Sequence, residues 1–90
     1  MGRETLLFKT KEKRDLESVA TLLRSLADKI ESKKVVLKQG QEEVVLDLPG
    51  QVELAIKAEL EEGKSRSKKK LEVEIEWVLG QDEGGPFQLG

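Results

Sequence analysis

The 90 residues carry 16 Lys and Arg against 18 Asp and Glu, a net charge of −2, so overall charge singles out no partner. Cysteine, histidine and tyrosine are absent, which excludes disulfides and thiolate metal sites and removes the usual transition-metal ligand and the usual general base near neutral pH. A chain this short supplies one small domain that buries roughly 60% of its unfolded surface, with little room for a deep internal pocket.

Residues 4–10, "ETLLFKT", read as a short strand with Leu6 and Phe8 on one face, although Leu7 falls on the other. The three large apolar residues in "MGRETLLFKTKEKR" are too few for a signal peptide, and no apolar run reaches the ~20 residues of a membrane span. A cytoplasmic protein with no membrane partner is the expectation. After "KEKR", Asp15 suits a helix N-cap, because its carboxylate can accept from the free N–H groups of the first turn. Leu16, Val19, Ala20, Leu22, Leu23, Leu26, Ala27 and Ile30 then form one apolar stripe, predicting an amphipathic helix over 15–31.

The remaining chain predicts four strands. "KKVVLKQGQEEVVLDLPG" divides at its glycine into a hairpin. Pairing Leu37 with Val44 and Val35 with Leu46 sets Lys38 against Glu43, Val36 against Val45 and Lys34 against Asp47, all favourable. In "QVELAIKAELEEGK", Val52, Leu54, Ile56, Ala58 and Leu60 recur at period two, which a helix would scatter around its surface. Placing Leu48 opposite Val52 brings Val45 to Ala55, Glu43 to Lys57 and Asp47 to Glu53. In "KKKLEVEIEW", Leu71, Val73, Ile75 and Trp77 repeat the period, and Leu60 opposite Leu71 brings Lys57 to Glu74 and Glu59 beside Glu72. A charge ladder Lys38, Glu43, Lys57, Glu74 is therefore expected across the outer face. The dry residues of the last strand are expected beneath the helix stripe.

The expected architecture is α+β: one amphipathic helix on one face of a mainly antiparallel five-stranded sheet, in the order β-α-β-β-β-β. Residues 1–79 form the domain, and residues 80–90, "GQDEGGPFQLG", read as a disordered tail. The place of the first strand is open, beside the fifth strand, which is favoured, or beside the second through a right-handed crossover.

The strand, the "LLRSLADKIES" helix, the "VVLKQGQEEVVLDLP" hairpin and the closing "LEVEIEW" together resemble the amphi-Trp domain, named for an amphipathic last strand that ends in tryptophan. The resemblance covers about residues 4–78, and its ending is its most specific part. It implies a prokaryotic protein, and it brings no assigned activity, catalytic residue or cofactor.

The residues point away from catalysis. Glu72, Glu74 and Glu76 alternate as the wet side of a strand, and Ser65 and Ser67 have no histidine to activate them. No loop has calcium-binding spacing, so no catalytic, cofactor or metal site is assigned. A non-enzymatic interaction or accessory module is the primary expectation, with a protein partner or a second copy seated on an uncharged row of Val36, Val45 and Ala55. A few small apolar residues outside are also ordinary in a monomer. The alternative is a polyanion site for RNA or DNA. A meander would gather Lys9, Lys11, Lys13 and Arg14 with Lys64, Arg66, Lys68, Lys69 and Lys70 at one pole, near the helix N-terminus. The same lysines also serve as a solubilising hairpin tip, and no aromatic residue lies among them for base stacking.

Overall fold

A computed structural model describes residues 2–80. Its elements are α1 (Leu16–Glu31), β1 (Lys34–Gln39), β2 (Glu42–Asp47), β3 (Glu53–Glu62) and β4 (Ser67–Glu76). Contacts divide the chain into two compact units, with the division between Leu48 and Pro49. The fold class is α+β, as expected.

In the first unit, Asp15 caps α1: its backbone is extended and its carboxylate accepts from the Ser18 N–H at 2.7 Å. The helix ends as its polar residues dictate. Ser32 donates its N–H to the carbonyls of Asp28 and Lys29, and its hydroxyl to Lys29 at 2.7 Å. Lys33 then takes a left-handed backbone (φ 69°), and its N–H reaches the Ile30 carbonyl at 2.9 Å. This turn starts β1 at once. The Lys33 carbonyl accepts from Leu48 at 2.9 Å, tying the far end of β2 to the start of β1.

The β1–β2 register is the expected one: Lys34 with Asp47, Val35 with Leu46, Val36 with Val45, Leu37 with Val44 and Lys38 with Glu43. Gly40, at φ 61°, takes the first position of the two-residue turn, where a side chain would be strained. α1 packs against β1. Its Val19, Ala20, Leu26 and Ile30 are half-buried, while Val35 (6% exposed) and Leu48 (9%) form the described core.

The second unit is one long antiparallel hairpin of β3 and β4. Its loop at 63–66 closes through the Gly63 N–H on the Arg66 carbonyl at 3.0 Å. The approach is tight: a Cβ on Gly63 would lie 2.5 Å from that carbonyl oxygen, so only glycine fits without a shift.

Three expectations change. Residues 4–10 form no strand; Leu6 and Leu7 are both exposed, at 75% and 61%, as befits neighbours that cannot share one buried face. The strands form two two-stranded sheets, β1–β2 and β3–β4, where a single five-stranded sheet was expected. Residues 48–52 stay outside strands, and Pro49 among them has no N–H to give a ladder. The pair Glu43–Lys57 is accordingly absent from the described ladders. Finally, the β3–β4 register differs by two residues. Leu60 faces Lys69, Ala58 faces Leu71 and Lys57 faces Glu72. The shift trades Glu59 beside Glu72 for Glu59 opposite Lys70 and sets Lys68 opposite Glu61, at the cost of Glu53 opposite Glu76. The tail assigned to 80–90 lies outside the described residues from position 81 onward.

Candidate interaction surfaces

Residues directly opposite in an antiparallel pair share a face. One face of β3–β4 therefore carries Leu54 with Ile75, Ile56 with Val73, Ala58 with Leu71, and Leu60 with Lys69. The other carries Ala55 with Glu74, Lys57 with Glu72, Glu59 with Lys70, and Glu61 with Lys68. The glutamates of "LEVEIEW" line this charged face, as their alternation predicts. The apolar face is open to solvent, with Leu71 72% and Ile56 66% exposed. Sequence patterning identified this face as dry, and within the second unit itself no described element covers it.

At the base of the hairpin, Val52, Glu53, Glu76, Trp77 and Val78 line an open cleft. Continuing the β4 alternation puts the half-buried Trp77 on the apolar side. Glu53 and Glu76 face each other across the ladder. A hydrogen bond that the protonated Glu76 carboxyl donates to Glu53, then the charges of Glu53 and Glu74, push the Glu76 carboxyl above its ordinary value. Further along the charged face, Glu59 sits 3.4 Å from Lys57 and 3.5 Å from Lys70. The two ammonium groups, Lys57 first, hold its carboxyl below the ordinary value.

The basic residues are divided between the two units. Lys9, Lys11, Lys13 and Arg14 lie in the irregular, exposed segment before α1. There Arg14 contacts the Glu12 carboxylate at 2.6 Å and the Ser18 hydroxyl at 2.9 Å. Lys64 and Arg66 lie in the hairpin loop, and Lys68, Lys69 and Lys70 open β4. Lys68 and Lys70 point to the charged face, against Glu61 and Glu59, whereas Lys69 lies on the apolar face. The cleft was not anticipated, because it depends on the register of β3 against β4, whereas the place of Lys69 on the apolar face, beside Glu62, follows from the alternation of the strands alone. Of the uncharged row, Val36 and Val45 do pair, on the β1–β2 face opposite Val35, and are 41% and 45% exposed. Ala55 belongs to the second unit, opposite Glu74. Among the described residues, no group of three or more acidic side chains is placed to hold a metal, and no helix is long and apolar enough to cross a membrane.

The model of the Amphi-Trp domain matches residues 1–89. The chain belongs to the Amphi-Trp domain family. No curated protein and no solved structure matches it. In this Amphi-Trp domain the match extends past the closing "LEVEIEW" into the glycine-rich stretch that follows. In this chain Trp77 directly follows β4, whose two faces are chemically opposite.

Proposed function

We propose that this chain is a non-catalytic protein-interaction module of the cytoplasm, and that the apolar face of β3–β4 is its binding surface. The observation that carries the reading is that face itself: large aliphatic side chains on both strands, aligned by register and open to water. An α-helix with its side chains is about 10 Å across, and strands lie about 4.8 Å apart, so one helix covers about two strands. α1 is already packed on β1. The Val36–Val45 pair provides a smaller second contact. The charge pairing of Lys68, Lys70 and Arg14 favours this reading over polyanion binding, because their carboxylate partners already offset them.

The chain has no native cysteine, so a single Val73→Cys variant reports on this face alone. In dilute protein its thiol is expected to react with a maleimide nearly as fast as an unfolded control. Protection in the dilute monomer would refute the reading.

A further inference from the structure

We infer that the β3–β4 hairpin has two registers of nearly equal free energy, the described one and a second displaced by two residues with Leu60 opposite Leu71, and that its cross-strand charges choose between them.

A displacement of two residues leaves every side chain on its own side of the ladder, so polarity excludes neither register. Charge does not separate them either. The described register sets Lys57 against Glu72, Glu59 against Lys70 and Glu61 against Lys68, with Glu53 against Glu76 as its like-charge pair. The displaced register would set Lys57 against Glu74, Glu61 against Lys70 and Glu62 against Lys69, with Glu59 against Glu72 as its like-charge pair. Three attractive pairs and one repulsive pair are exchanged for three and one.

The remaining differences oppose each other. In the described ladder Leu60 lies against Lys69, and Leu71 against the small Ala58. The displaced ladder would match Leu60 with Leu71, Ile56 with Ile75 and Leu54 with Trp77. It would also part Glu53 from Glu76 at the base, where Glu53, by hydrogen bond and charge, and then Glu74 hold the Glu76 carboxyl above its ordinary value. On the other side, the described register keeps a compact loop at 63–66, closed by the Gly63 N–H on the Arg66 carbonyl at 3.0 Å. The displaced loop would span 63–68, and the entropy of closing a loop rises only weakly with two more residues. The apolar face thus keeps its composition and has two side-chain arrangements. A ligand that favours one of them shifts the whole hairpin.

The test reads the register by proton NMR of the full chain. Hydrogen-bonded and non-hydrogen-bonded pairs alternate along an antiparallel ladder, so the closed pair Gly63–Arg66 makes the apolar-face pairs non-hydrogen-bonded, where opposite backbones come closest. The Ala58 Hα is expected to show its cross-strand Overhauser contact with Leu71 in wild type, and with Val73 in the displaced register. Glu72→Lys places a lysine opposite Lys57 in the described register and opposite Glu59 in the displaced one. It is expected to move the equilibrium by about tenfold or more, passing the Ala58 contact to Val73. Lys68→Glu places a glutamate opposite Glu61 in the described register alone, and is expected to move it the same way by a smaller factor. Glu53→Lys places a lysine opposite Glu76 and is expected to hold the Leu71 contact alone. An Ala58–Leu71 contact undiminished in both Glu72→Lys and Lys68→Glu would overturn the inference. Loss of both contacts in these two variants would also overturn it, because the displaced register would then be too costly to hold the hairpin.

Discussion

Val35 and Val73 are the same side chain in two hairpins, 6% and 61% exposed, and the same Val→Ala substitution at each separates the two environments. The change removes two methyl groups. At about 0.8 kcal/mol per buried carbon, complete burial makes that about 1.6 kcal/mol, and a small residual cavity brings Val35→Ala to about 2 kcal/mol. Val73 has only about two-fifths of its surface covered, which scales the transfer loss to about 0.6 kcal/mol with no cavity. The lost strand preference of valine acts on both variants alike and cancels in their difference. Urea unfolding at protein concentrations low enough to keep the chain monomeric measures both, with far-UV circular dichroism as the signal. A difference of about 1.4 kcal/mol is expected, with Val35→Ala the more damaging. Equal losses of about 2 kcal/mol would refute the reasoning, since Val73 would then be packed as tightly as the core.

Asp15→Ala removes the carboxylate that accepts from Ser18 and is expected to cost about 1 kcal/mol, visible as a lower midpoint in the same assay, with Asp15→Asn close to wild type. Gly63→Ala forces a Cβ against the Arg66 carbonyl; amide exchange along β3 and β4 is expected to accelerate while that of β1 and β2 is unchanged. The two perturbed glutamates give opposite pH dependences. The raised pKa of Glu76 means that its protonation favours the folded hairpin: that contribution is present below the ordinary carboxylate pKa and lost as pH rises through the raised value. Glu59 is lowered, so its contribution is present above the ordinary pKa and lost as pH falls through the lowered value. Thermal melts across the carboxylate range are expected to show Glu76→Gln as the more stable variant at neutral pH, and Glu59→Gln as the one that loses stability there.

The helix and the first hairpin were legible because several independent signals agree on them. Asp15 has its acceptor three residues before a free N–H, and the charged pairs Lys34–Asp47 and Lys38–Glu43 admit one register around Val36–Val45. The second hairpin was legible in its faces and not in its register. A shift of two residues leaves every side chain on the same face, so hydrophobic alternation cannot detect it. Loop geometry decides instead, through the contact of Gly63 with Arg66, which composition does not reveal. The expected first strand had Leu6 and Leu7 adjacent, a pattern that serves no single face. The basic pole presupposed one continuous meander, whereas the described ladders break at the segment containing Pro49 and its residues belong to both compact units. The Trp77 cleft lay beyond reach for the same reason as the register: it exists only once Glu53 and Glu76 are known to be opposite.

The most direct measurement is methyl NMR of dilute, monomeric protein with a soluble paramagnetic probe that broadens whatever water can reach. The account predicts strong broadening for Ile56, Leu71 and Val73 and almost none for Val35. Equal protection of all four would show that the single chain covers its own apolar strand face, and would contradict the account.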